Sequence, residues 1–384
     1  FFLLYHLFFL VIKKEFFKFL DFVQRFKLVR FSIVGIGCDI SSQPYLYKLS
    51  HVLKEFGEVD YYCWDRKRKG GGNESLNIHP LLKMGVDKRW KLALGYIFWF
   101  FKLCVFFLFK ADRESIYCVS RLDAGLPAFL GKKIRGIRYV YLDRDAAHLT
   151  YNLGALKGLM RCVEYHVGKN AVRHFVPGDS RNFTKLDNVR IIDNSPNQAF
   201  FEQARLKAQS LKRSNKITIY INGWLVDTRG AEMMLECCNR LSPKKFNVIV
   251  AGRPDSEYIK ELLNLEVVEY LGHLNNIDSL SYYFLSDFVF SFYDPSIEVN
   301  RKAEPNKWFD CYFTKTRFIT NHGIETSQKF VELGLCSLIS YGHVDQLVEL
   351  LENAQPVDVD FHPLEGVDFW DGKVRKIIKE LVDA

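Results

Sequence analysis

The sequence predicts an α/β protein made of two doubly wound, Rossmann-like domains. Short runs rich in Val, Ile, Phe and Tyr recur along the chain, bounded by Gly, Pro, Asn or Asp, as buried parallel strands are. Helical stretches alternate with them, as crossover connections require. The pattern also starts afresh: an apolar strand ending in glycine, then a polar turn and a helix, occurs at 31–37 and again at 216–225. At 384 residues the chain can supply each domain with its own core.

Taken in order, residues 1–12, FFLLYHLFFLVI, are almost wholly apolar and precede Lys13-Lys14. Residues 1–28 are expected to be either a membrane-touching amphipathic lead or no part of the mature domain. The first domain is assigned to 29–197. FSIVGIG (31–37) reads as its first strand, delivering Gly37 to a junction where backbone can approach a ligand, with a helix from about Pro44 to Phe56. EVDYYCWD is the second strand, and RKRKGGGN (66–73) an exposed connection. Residues 92–109, LALGYIFWFFKLCVFFLF, interrupted by Lys102 and flanked by Arg89, Lys91 and Lys110, admit three readings: a membrane span, a buried core helix, or a helix lying in a lipid interface. The interfacial reading is favoured, because strands before and after it continue one domain. SIYCVS is the next strand. RYVYLDRDAAH (138–148) then brings Asp143, Asp145 and His148 to the C-terminal end of a strand, where open α/β sheets bind ligands. Alternation along that strand puts Asp143 and Asp145 on one face and Arg144 on the other.

Composition narrows the partners. Residues 29–180 hold 24 Lys and Arg against 14 Asp and Glu, whereas 181–384 hold 24 against 29. A basic, Phe- and Trp-rich first half points to an anionic membrane surface, and no nucleic-acid signature accompanies the charge. Nine cysteines without a CxxC pair suggest a reducing compartment and neither zinc nor a disulfide framework. Asp143-Arg144-Asp145 matches a DxD metal motif in form only, and no metal is expected.

VRIIDNSPN (189–197) closes the first domain, and 198–215 form a charged helical linker. The second domain, 216–365, opens with KITIYINGWL, in which Gly223 ends the strand, and continues with FNVIVAGRP, VEYLGHL and DFVFSFY. A final helix, 366–384, is expected to return to the first domain. The most informative stretch is KAEPNKWFDCYFTKTRFITNHG (302–323). Pro305 is suited to the first helical position and Glu304 to the N-cap, leaving the N–H groups of Asn306, Lys307 and Trp308 free. Those donors, the helix dipole and the Lys307 charge make an anion site. Asp310 shares their face and suits a ribose diol.

A-x-P-N-K-hydrophobic-aromatic-acid, followed by a strand ending in Asn-x-Gly, resembles the donor-binding segment of GT-B glycosyltransferases, family 4-like, of the bacterial surface polysaccharide type. The resemblance covers residues 30–384 and implies the GT-B fold, two Rossmann-like domains facing across a cleft. It implies that Arg229, followed by Gly230, clamps the donor diphosphate, and that Gly252-Arg253 and Gly272 lie near the nucleotide base. The family's two glutamates eight positions apart are not present: Asp310 fills the second place and Lys302 stands at the first.

The activity implied is sugar transfer from a nucleotide-sugar donor to a lipid-linked or polysaccharide acceptor, without a further cofactor, by a cytoplasmic protein peripheral to the inner face of the cell membrane. The 305 helix and Arg229 would stabilise the leaving diphosphate, with Asp145, or Asp143, orienting or deprotonating the acceptor. A nucleotide-sugar epimerase of the same fold and a non-catalytic assembly protein on this scaffold are the alternatives. The first has no need of an apolar 92–109, and the second none of Arg229, Lys307 and Asp310.

Overall fold

The computed structural model describes residues 29–66, 76–86, 88–150, 154–355, 360–364 and 366–383. The expectations for 1–28 and for most of the 66–73 connection lie outside these residues. Two all-parallel sheets form the framework. The first comprises β1 (Val29–Ile36), β2 (Gly57–Asp65), β3 (Asn77–Lys83), β4 (Ile116–Ser120), β5 (Arg138–Leu142), β6 (Arg173–Val176) and β7 (Val189–Ile191), in the order β3-β2-β1-β4-β5-β6-β7. The second comprises β8 (Ile217–Leu225), β9 (Phe246–Pro254), β10 (Val268–Tyr270), β11 (Phe288–Phe290), β12 (Arg317–Asn321) and β13 (Cys336–Ile339), in the order β10-β9-β8-β11-β12-β13. Each sheet starts at its middle, winds one way and then the other. The direction reverses between β1 and β4 and between β8 and β11, where crevices open at the strand ends.

The central strands are buried on both faces, which is why Phe31, Ile33, Val34, Ile219, Tyr220 and Ile221 are inaccessible and why the runs read as continuously apolar. Two strands escaped the sequence reading. β3 carries Pro80 and is largely exposed, as an edge strand is, so it lacks an apolar signal. β13 is the four-residue segment CSLI, too short to show a period.

The domains are joined twice. Asn197 accepts a hydrogen bond from the Phe200 N–H (3.2 Å) and caps the helix Gln198–Ser210. The last helix, Trp370–Val382, returns to pack on the helix Pro44–Lys54. Trp370 is fully buried in the first domain's core, edge-on to Tyr45 at 5.3 Å between ring centres. Its main-chain N–H donates to the Pro196 carbonyl (3.0 Å), while the Asp371 carboxylate accepts from the Gln198 N–H (2.8 Å). The start and the end of the second domain's chain are thereby fastened to each other.

The helix Arg89–Val105 continues into a π-helical turn, Phe106–Lys110, and among the described helices only this one is long and apolar enough to cross a membrane. It lies on the first sheet. Trp99, Leu103, Phe106 and Phe107 are buried with Trp64, Tyr117 and Tyr139. Ile97, Phe98, Phe101, Val105 and Phe109 face outward, Phe109 with 74 % of its surface exposed. One side packed and one side bare excludes a wholly buried core helix and leaves a second, apolar face uncovered by the described residues.

Candidate functional site

The residues singled out from the sequence fall on the two facing crevices. On the second domain, Gly223 lies within β8, which runs two residues beyond it to Leu225 and does not end there as the sequence suggested, and its φ of +99° is one that only glycine adopts readily. The space a side chain would fill holds the Lys307 Cε, 3.6 Å from where a Cβ would stand. Gly252, paired with Gly223 on β9, has φ +130°, and a Cβ there would collide with the Gly223 carbonyl. These glycines therefore let two strand ends and a lysine converge. Gly230, buried before the helix Ala231–Arg240, packs on Phe292, and Gly272 accepts through its carbonyl from the Gly252 N–H (2.8 Å). Gly37, at the end of β1, is held by its N–H on the Trp64 carbonyl (2.9 Å).

Lys307 and Arg229 share this corner. Burial, and the Arg229 guanidinium beside it, hold the Lys307 ammonium down to about 8. Arg229 lies 4.1 Å over the Tyr293 ring, and its buried Nη1 has no hydrogen-bond partner. Two cations crowd together here, one with an unused donor, and an anion between them would satisfy both. The donor set fits a diphosphate. Arg253 differs: it is exposed and neutralised by Asp255, to which its Nε donates (2.6 Å).

The helix that presents Lys307 runs Asn306–Thr314, with Pro305 at the N-cap (ψ 139°) instead of in the first turn. This shifts the expected helix start by one residue and removes Glu304 from the cap. Glu304 is buried against the first domain, accepting from the Ser180 hydroxyl (2.8 Å) with Lys329 3.9 Å away. Burial raises its pKa, so a donor-binding role would have to act across the domain boundary. Asn306 and Asp310 line a small polar pocket with Lys48, Asn194 and Ser279. Lys48, missed in the sequence, donates to the Ser195 carbonyl (2.8 Å) and lies 4.9 Å over Trp370. Burial pushes the Asp310 carboxyl up and the Lys48 ammonium down, while each pulls the other back toward its charged form.

On the first domain, β5 ends at Leu142, so Asp143–Asp145 occupy a bend and not a strand. Alternation therefore does not arrange them. Instead the Asp143 carboxylate accepts from the Ala146 N–H (3.2 Å), and Ala146 takes a left-handed conformation (φ +45°) that turns the chain back. Asp143 is buried, 3.5 Å from His174 Nε2, and Asp145 is exposed. Both line a cavity of about 480 Å³ with Tyr96, Phe100, Leu126 and Met160. Arg144 points away, 4.6 Å over Tyr45. His148 does not join the two carboxylates at that cavity. It is buried, bonded through Nδ1 to Glu164 and edge-on to Phe183. The bend redirects it, which spacing along a strand could not reveal. Among the described residues no cluster of three or more His, Cys, Asp or Glu could hold a metal.

No family model and no curated protein matches this chain. Solved structures do. Sucrose-phosphate synthase from Thermosynechococcus elongatus matches with a TM-score of 0.60 at 12% identity, over 92% of this chain and 95% of that one. Anabaena HepE in complex with UDP matches at 0.58 and 12%, over 92% and 95%. UDP-GlcNAc 2-epimerase from Methanocaldococcus jannaschii matches at 0.57 and 12%, over 93% and 100%. At such identity the likeness shows the fold alone. The fold is GT-B: two Rossmann-like domains, shared by glycosyltransferases and by epimerases of nucleotide sugars.

Proposed function

We propose that this protein is a glycosyltransferase, family 4-like, that moves a sugar from a nucleotide-sugar donor to a lipid-linked acceptor in cell-surface polysaccharide assembly, on the inner face of the cell membrane. One observation carries the reading. The cavity that ends at Asp143 and Asp145 is walled by Tyr96 and Phe100, which belong to the same helix whose outer face bares Ile97, Phe98 and Phe101. An amphiphilic acceptor could rest its chain on that helix and present a hydroxyl to the carboxylates.

The donor diphosphate would sit between Arg229, Lys307 and the Asn306 and Lys307 N–H groups at the start of the Asn306–Thr314 helix, which meet the charge that develops on the leaving group. The Trp308 N–H, expected to be free, is taken by the Pro305 carbonyl (3.3 Å). Asp310 and Asn306, one turn apart, would take the ribose or the sugar. Asp145, exposed in the cavity, would orient or deprotonate the acceptor hydroxyl, with Asp143 buried behind it.

Incubation with a panel of nucleotide sugars and membrane lipid extract tests the reading. Label from one donor is expected in the lipid fraction, and that donor should raise the melting temperature by RT ln(1 + [L]/Kd). Conversion of UDP-GlcNAc to its epimer, with no label entering lipid, would replace transfer with epimerisation, the activity named for one of the structural matches.

A further inference from the structure

Arg181 occupies a single 3₁₀ turn, Asp179–Arg181, after β6, and nothing in the sequence marks it out. It is buried, with 7 % of its surface exposed, and each of its three guanidinium nitrogens donates one hydrogen bond. Nε donates to the Lys302 carbonyl (2.6 Å) and Nη2 to the Val299 carbonyl (3.2 Å), both in the second domain. Nη1 donates to the Asp145 carbonyl (3.1 Å) in the first. Every hydrogen-bond acceptor is a main-chain oxygen, while the Asp145, Asp143 and Glu304 carboxylates lie close enough to favour the guanidinium's charge. The guanidinium fixes the path of two loops at once.

Those loops are the two that matter. Residues 299–302 lead into Glu304, Pro305 and the helix bearing Asn306, Lys307 and Asp310. Residues 143–147 form the bend that presents Asp145 to the 480 Å³ cavity. The flanking contacts reinforce the same junction: the Ser180 hydroxyl donates to Glu304 (2.8 Å), Lys157 pairs with Glu298 (2.5 Å), and Lys302 lies 5.3 Å over Phe183. A Cβ at Gly178 would collide with the Glu304 carboxylate, so the turn closes directly on the second domain.

We propose that Arg181 is a positioning residue that couples the two substrate sites, so that filling the nucleotide site orders the Asp145 bend. A planar group with five donors in fixed directions can hold three carbonyls in one geometry, which a lysine cannot. An anion drawn onto the Asn306–Thr314 helix start restrains residues 299–304. Through Arg181 that restraint reaches the Asp145 carbonyl and thereby the side chain in the cavity. By linkage, an occupied acceptor cavity favours the nucleotide site to the same extent. The inference rests on the nucleotide-site reading above.

The test is hydrogen exchange with UDP and GDP as probes, on the whole chain, as wild type and Arg181→Gln. In the wild type, nucleotide should slow exchange both at 223–230 and 306–310 and at 144–150. In Arg181→Gln the first two segments should still be protected and the 144–150 response should be lost, which a merely structural role, loosening all segments alike, would not produce. Arg181→Lys keeps the charge and should lose the response as well, and it replaces the glutamine variant if that variant does not fold. A 144–150 response that persists in either variant overturns the coupling. So does a wild type in which nucleotide protects 223–230 and 306–310 and leaves 144–150 unchanged, while the donor site survives. If neither nucleotide protects any segment of the wild type, the nucleotide site falls and the coupling with it.

Discussion

Lys307 and Arg229 are two cations forced together at the end of β8, and the cost of that arrangement is what makes it informative. Removing either side chain as Arg229→Ala or Lys307→Ala should weaken nucleoside diphosphate binding by about 1.5–3 kcal/mol, the range for hydrogen bonds to charged groups. Calorimetry that gives equal affinity for wild type and both variants would remove the pair from the donor site. Because the Lys307 ammonium is held down to about 8 by burial and by Arg229, it loses its proton as the free protein passes that pH. Nucleotide affinity should therefore fall between pH 7 and 9, with proton uptake on binding above pH 8, and Lys307→Ala should flatten the profile. In the unfolded chain the same lysine titrates higher and binds more protons, so its drag on stability eases as pH rises from about 8 toward its ordinary value. Across the cleft, Asp145→Asn should leave donor binding intact and lower turnover about 10²–10⁴-fold, the usual contribution of a general base. Asp145 is exposed and its side chain supports no described hydrogen bond, so lost activity that merely tracks a lower melting temperature would refute the role.

At the scale of an element, the helix Arg89–Val105 with its π-helical turn has two apolar faces, and the protein can cover only one. The inner face buries Trp99, Leu103 and Phe107. The outer face leaves Ile97, Phe98, Phe101 and Phe109 bare, which is costly in water and favourable against lipid. Lys88, Lys91, Lys102 and Lys110 lie along or beside it. Sedimentation with anionic vesicles should recover the protein at low salt and progressively less as ionic strength rises, since surface attraction is screened over about 8–10 Å near physiological salt. Phe98→Glu together with Phe101→Glu should abolish the binding while leaving the buried face, and therefore the melting temperature, nearly unchanged. A wild type that ignores such vesicles at low salt would end the interfacial assignment, and one released only by detergent would make the helix a span.

For the whole molecule, the return of the last helix is the decisive contact. Trp370 lies 173 residues beyond residue 197, the end of the first domain, and yet completes that domain's core with Tyr45, Leu49 and Val374. Trp370→Ala should destabilise the protein by about 3–5 kcal/mol, the usual range for losing a large buried aromatic. The loss should appear in the first domain's unfolding. A denaturant melt in which only the second domain weakens would show that the helix belongs to that domain.

How much of this was legible differs from residue to residue. The strands of both sheets, Gly223 before Arg229, and the Asn306-Lys307-Asp310 face could be read because each is local: a parallel strand buried on both faces must be continuously apolar, and a helix face is set by spacing of three and four. β3 and β13 could not, because an exposed edge strand and a four-residue strand leave no periodic signal. His148 turns from the Asp145 cavity, while lining a neighbouring pocket with Asp143, for a similar reason. Its direction depends on a bend stabilised by Asp143 and on a partner, Glu164, sixteen residues away. Glu304 looked like a cap and became a buried contact of Ser180, since ψ at Pro305 decided where the helix began. By itself, then, the sequence determined two Rossmann-like domains and the residues that end their strands, because backbone and burial rules act over a few positions. Only the tertiary structure decided which of those ends face one another, that Lys48 meets Asp310, and that Arg181 joins the loops on both sides of the cleft. Those are meetings between residues from 36 to more than a hundred positions apart, and no local rule encodes them.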